Sequence, residues 1–288
     1  MPDNFLENNF ILTTELTPPK GVDLSNSLDK AKSLPTINAF NVTDNHNSNM
    51  TMSPLGLSKL LIDNNIQPIL QMTCRDRNVL ALQSDLLSAY SLGINNILCM
   101  SGESTKYGDH PEAKNVFDIN SEQLISIVSK LNSGYDYTDN KLNQNTNFNI
   151  GAVFNPGASD IDKELVKLIS KIKNGATFFQ TQAIYSINNL DYILEIKKKY
   201  NIKIIAGFIP VKSAKMANFL NTKVPGITVP ETIIEKMKKS HNPKNTCIEI
   251  SKEIISEIKA SNIFDGIHIM ALGQENIIPE ITQSKIIS

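Results

Sequence analysis

Short runs of β-branched and aromatic residues recur along the chain, each closed by a polar or Pro/Gly turn. Eight stand out: residues 10–16, 37–43, 68–73, 96–100, 148–154, 176–184, 203–211 and 266–272. They are short apolar runs, the pattern of parallel strands covered by helices on the outside. Between them, residues 79–92, 160–173, 185–200 and 247–260 carry apolar positions at helical spacing, with stop signals at Gly93 and Asn174-Gly175. Strand then helix, repeated eight times within 288 residues, predicts an α/β fold of the (β/α)8 TIM-barrel kind, a single domain spanning 1–288. A doubly wound sheet needs fewer repeats and usually a Gly-rich first turn, and neither G-x-G-x-x-G nor G-x-x-x-x-G-K-[ST] occurs.

A barrel of this kind keeps its chemistry at the C-terminal ends of its strands. The long connection 101–120 follows the fourth strand and belongs to that face. The polar, Asn-rich stretch 134–147 precedes the fifth strand, lies on the opposite face, and is expected to carry little of the function. The strand ends offer Glu15, Thr43-Asp44-Asn45, Thr73-Cys74-Arg75, Gly102-Glu103, Asn155, Gln180-Thr181-Gln182, Val211-Lys212 and Leu272-Gly273. Glu15 and Glu103 should face one mouth. Glu15 is hemmed by Leu12, Leu16 and Pro18-Pro19, a setting expected to raise its carboxyl pKa and suit it to donate a proton. An ordinary rim carboxylate is the plain alternative.

Composition narrows the chemistry. Lys+Arg (28) and Asp+Glu (29) nearly cancel, which argues against a nucleic-acid surface. No run of 18 apolar residues appears, and the segment Met1-Pro2-Asp3-Asn4 lacks a signal-peptide pattern, so a cytoplasmic protein without a membrane span is expected. Cys74, Cys99 and Cys247 lie far apart, and the four histidines are scattered, so no metal site is expected. His268 reads as a satisfied barrel residue, and Cys74 and Cys99 as packing residues. Lys212 alone suits a Schiff base, and a chain without Trp lacks the best sugar platform. What remains is a mouth with a proton donor, amides and few charges, suited to a cofactor that brings its own chemistry. Arg75 and Arg77 are the only arginines in a chain that otherwise uses Lys, which points to a place needing a planar, multi-donor cation.

Five segments occur in order at these strand ends: Thr14-Glu15-Leu16-Thr17-Pro18-Pro19, Gln71-Met72-Thr73-Cys74-Arg75-Asp76-Arg77-Asn78, Ser101-Gly102-Glu103, Gly175-Ala176-Thr177-Phe178-Phe179-Gln180-Thr181-Gln182 and Gly207-Phe208-Ile209-Pro210-Val211. Together they resemble the methylenetetrahydrofolate reductase family over residues 10–275. The resemblance implies a flavin-bearing barrel that reduces 5,10-methylenetetrahydrofolate to 5-methyltetrahydrofolate, with hydride passing from NADH or NADPH to flavin N5 and then to folate in a ping-pong order. By the same resemblance Glu15 is the acid that protonates the folate as its five-membered ring opens. Glu103, where the family usually has Asp, and Gln182 shape the folate site, with Asp109 as a possible substitute for Glu103. Thr43, Gln71, Ser101, Gly102, Glu103, Asn155, Glu164 and Lys171 occupy flavin-contact positions. Gln71, Ser101 and Asn155 depart from the family's usual His, Arg and His there, and Ala214 replaces an aromatic. FAD is the implied cofactor, with FMN the alternative. Two partner readings stay open: a homo-oligomer, or a flavin-bearing subunit that takes electrons from a partner protein. Arg75 or Arg77 is expected to organise its loop or to meet a phosphate or folate glutamate.

Overall fold

The computed structural model describes residues 4–282; residues 1–3 and 283–288 of the 1–288 span, including most of the N-terminal segment read above, lie outside it. Eight strands, β1 (Ile11–Leu16), β2 (Ala39–Val42), β3 (Pro68–Thr73), β4 (Asn96–Met100), β5 (Asn149–Phe154), β6 (Phe178–Ala183), β7 (Lys203–Phe208) and β8 (Gly266–Ile269), pair in parallel in chain order, and β8 returns to β1. The α/β barrel is closed. Around it run α1 (Ser25–Lys32), α2 (Pro54–Asp63), α3 (Val79–Ser91), α4 (Ser121–Asn132), α5 (Ile161–Lys173), α6 (Tyr192–Tyr200), α7 (Ala214–Lys223), α8 (Glu231–Lys238), α9 (Pro243–Ser261) and α10 (Ile278–Thr282).

Local chemistry sets where the helices start. Asn78, Asp160 and Asn242 each accept from a backbone N–H of the first turn, and Asn120 with Gln123 completes a reciprocal capping pair on α4. The helix predicted over 185–200 forms only from Tyr192. Ahead of it Asn189 is left-handed (φ 63°) and the Tyr185 hydroxyl donates to the Ile209 carbonyl, which pins that segment as a loop. The helix predicted from 247 begins at Pro243, because Asn242 caps it and Pro at the first position needs no donor. Strands β7 and β8 stop short of their predicted ends.

Inward side chains alternate along each strand and build layers. The floor is apolar: Ile11, Ala39, Ile69, Leu98, Phe178 and Ile205 pack with Phe5, which enters from the 3-10 turn Phe5–Glu7. Phe5 meets Phe178 edge-on at 5.5 Å. Gly151 makes room, since a Cβ there would sit 2.3 Å from the Phe178 ring. Above the floor the layer is polar: Thr13, Asn41, Gln180 and His268 are buried and bonded to one another. Glu15 stands above that layer.

Candidate active site

Two residues on from Thr13, Glu15 points the same way, into the C-terminal mouth. His268 Nε2 lies 3.9 Å from its Oε1, and Gln71 and His46 also act on it. Burial pushes the carboxyl up, and this is the largest single influence. The imidazole of His268, helped by His46 and the Gln71 amide, outweighs it and holds the carboxyl below its ordinary value. The raised pKa expected from the apolar neighbours is therefore corrected: the prolines and leucines flank Glu15, but histidines face it.

Two cavities meet at this carboxylate. One, of about 360 Å³, is lined by Glu15, Gln71, Thr73, Arg75, Gly102 and Glu103 among others. The other, of about 370 Å³, is lined by Glu15, Asp23, Asn26, Lys30, Leu272 and Glu275 among others. Glu15 and His46 line both.

The loops that wall the first cavity are strained and then fastened. Asn45, Asn47 and Ser48, just past β2, all have positive φ. Arg75 is buried there, bidentate to Asp76 at 2.7 and 2.6 Å, and reaches Ser48 Oγ at 3.0 Å and the Asn45 and Glu103 carbonyls at 3.4 Å. Arg77 clasps both oxygens of the buried Asp44 at 2.8 and 3.0 Å and pairs with Asp85 at 2.8 Å. Asp44 also accepts the Thr73 N–H and hydroxyl, each at 2.9 Å. Both arginines thus knit the ends of β2, β3 and β4 together. Asp109 does similar work further out: it accepts from Lys20, from Met50 N at 2.9 Å and from His110, and these bonds hold its carboxyl well below the usual range. Gly108 beside it lies so close to Ser48 that a Cβ would fall 1.8 Å from the Ser48 carbonyl oxygen.

Of the predicted site residues, Glu15, Gln71, Gly102 and Glu103 come together around one cavity. Glu103 has its carbonyl gripped by Ser48 and Arg75 while the residue stays exposed at the rim, as does Ser101. Gly102 is left-handed (φ 84°), and a Cβ would press on Thr73 and Arg75. The Thr43 hydroxyl is buried without a hydrogen-bond partner. Asn155, Glu164 and Lys171 form a separate group at the end of β5. Glu164 accepts from Asn155 N at 3.0 Å, and the Lys171 ammonium donates to the Val153 carbonyl at 2.6 Å, where burial lowers its pKa. Gln182 sits on a bulge: the β6–β7 register shifts between Gln180 and Ala183, and Gly207 permits the close approach, since a Cβ there would lie 2.2 Å from the Thr181 carbonyl. Ala214 opens α7 behind its Ser213 cap. Sequence reasoning missed His46, the inward role of His268, and the Asn41–Gln180 pair. The two-residue period places 268 inside; only closure of the barrel shows that it faces Glu15.

Among solved structures, an uncharacterized protein from Clostridium thermocellum, described as binding two copies of 5-methyl-5,6,7,8-tetrahydrofolic acid, superposes with TM-score 0.59 at 18% identity, covering 95% of this chain and 93% of that one. EDTA monooxygenase from Chelativorans sp. BNC1 gives 0.57 at 10% identity, covering 96% and 93%. Both likenesses are of fold. A curated relative, methylenetetrahydrofolate reductase 1 of Schizosaccharomyces pombe (strain 972 / ATCC 24843), is 23% identical over 265 residues, 88% of this chain and 42% of that protein. The chain thus spans less than half of that relative's length. The family model for methylenetetrahydrofolate reductase matches residues 2–285, nearly end to end. This chain belongs to the methylenetetrahydrofolate reductase family.

Proposed function

We propose that the protein reduces 5,10-methylenetetrahydrofolate to 5-methyltetrahydrofolate with a bound flavin and NADH or NADPH as electron donor. The observation that carries this reading is the carboxylate of Glu15, set between two cavities with two imidazoles and an amide acting on it. The residues present suit a flavin: the buried Thr43 hydroxyl lacks a partner, and the left-handed Gly102 backbone closes the cavity wall beside Thr73. Thr43, Gln71, Gly102 and Glu103 are the residues to hold its ring system, and Asn155, Glu164 and Lys171 the candidates for its tail. FAD is the first expectation and FMN the alternative. When bound, the flavin supplies the hydride.

The chain's own residues manage the proton and the fit. Glu15 rests as an anion. A ligand seated over the mouth excludes water, strengthens the burial effect that already pushes this carboxyl up, and so favours proton uptake at its Oε atoms. That proton then goes to the folate amine nitrogen that departs as the five-membered ring opens. Gln71 holds the carboxylate by its amide, and Gln182 and Glu103 offer an amide and a carboxylate to the polar edge of the pterin. Arg75 and Arg77 keep the walls in place.

The test is one cuvette. The purified chain, supplemented with FAD or FMN, is mixed anaerobically with NADH and then with methylenetetrahydrofolate. A flavin spectrum that bleaches with the first and returns with the second supports the proposal. A flavin that binds but never bleaches assigns the chain to a subunit fed by a partner protein. A chain that binds no flavin overturns the proposal.

A further inference from the structure

Thr13, Asn41, Gln180 and His268, buried in the middle layer of the barrel, form a hydrogen-bonded chain that ends in a reciprocal pair of amides. Asn41 Nδ2 donates to Gln180 Oε1 at 2.6 Å; Gln180 Nε2 donates back to Asn41 Oδ1 at 3.0 Å and onward to Thr13 Oγ1 at 3.3 Å. With the Thr13 oxygen accepting on that side, its single proton is left to donate to its other partner, His268 Nδ1, at 2.9 Å. Nδ1 is then the bare ring nitrogen, and the proton sits on Nε2, the atom that faces Glu15. The two reciprocal amides would pair equally well with both turned over; the Glu15 end selects this orientation, because a bare Nε2 would set its lone pair against a carboxylate. The proton positions are assigned from the bonding pattern of the heavy atoms.

We infer that the Asn41–Gln180 amide pair, acting through Thr13, fixes the tautomer of His268 with its proton on Nε2 toward Glu15. Asn41 and Gln180 are positioning residues; neither is hydrogen-bonded to Glu15 or lines either cavity beside it. The chain ends in a reciprocal pair of amides with no ionisable member, so it orients the imidazole and supplies no proton. Glu15 exchanges its proton with the mouth, where His46 and Gln71 also act on it. The effect on turnover rests on the proposed role of Glu15; the tautomer does not.

Nitrogen-15 NMR of histidine-labelled protein tests it, with His268 assigned from a His268→Gln variant. With the ring neutral in the parent, Nδ1 should resonate as an unprotonated nitrogen and Nε2 as a protonated one. Gln180→Glu places an acceptor beside Thr13, turns the hydroxyl proton away from the ring, and should put a proton on Nδ1. Thr13→Ser should keep the parent pattern, and Thr13→Val should mix the tautomers. A parent His268 protonated on Nδ1 overturns the inference, as does a pattern unmoved by both Gln180→Glu and Thr13→Val in protein with a native circular dichroism spectrum. The spectrum needs neither substrate nor flavin, so a Glu15→Gln variant that still reduces folate would defeat the proposed role of Glu15 and leave the tautomer result standing.

Discussion

Glu15 owes its low pKa to what stands across from it rather than to exposure, and a neutral isostere separates charge from shape. Glu15→Gln should leave flavin bleaching by NADH near the parental rate and slow folate reduction by about 10²–10⁴-fold, the range a positioned general acid contributes. Equal losses in both half-reactions, read by stopped-flow absorbance, would remove Glu15 from the acid's role. Arg77 poses a different question, because Asp44 beside it is fully buried while holding a negative charge. Arg77→Met takes away the bidentate partner and strands that carboxylate. The expected loss is roughly 3–5 kcal/mol of stability by urea unfolding, with Arg77→Lys in between because an ammonium cannot span both oxygens. A loss below 1 kcal/mol would mean the clasp is dispensable. The two arginines thus answer the first half of what the sequence suggested: they organise the loops, and the charge they meet is the protein's own.

At the scale of elements, the strands were legible because barrel strands are apolar on the outer face and often on the inner one, which makes each a short uninterrupted run. α1, with a thin apolar stripe that buries only Ser27 and Ala31, was not, and neither was α8, which buries Ile233, Ile234 and Met237 but is only eight residues long. The site was legible to the extent that it sits at strand ends. It was hidden where it depends on closure, since Thr13 and His268 meet across 255 positions of sequence and nothing local marks the pairing. The β6–β7 bulge is likewise a product of the partner strand, because Gly207 admits the Thr181 backbone beside Gln182. Gly207→Ala should push the strands apart. The expected result is a raised KM for methylenetetrahydrofolate with NADH oxidation little changed, together with a lower Tm; an unchanged KM would separate the bulge from folate binding.

For the molecule as a whole, depressed carboxyl groups set the response to acid. Glu15 and Asp76 both lie below their ordinary values, Glu15 because His268 and its neighbours outweigh burial and Asp76 because Arg75 and Asn45 do. A carboxyl depressed on folding contributes stability that is complete above its unfolded pKa and is lost as pH falls through the folded one. The Tm should therefore hold near neutrality and decline below about pH 4–5, the upper edge of unfolded carboxyl titration. Glu15→Gln should flatten that decline, and a parallel curve for the variant would show that Glu15 does not contribute to it. The floor described at the base of the barrel bears on traffic. With Phe5 seated on Phe178 beneath the bonded polar layer, the barrel is stoppered at its base, and the carboxylate is reached from the C-terminal mouth. The two cavities there converge on Glu15, so reactants that each need this carboxylate compete for it, and an analogue of either should hinder the other.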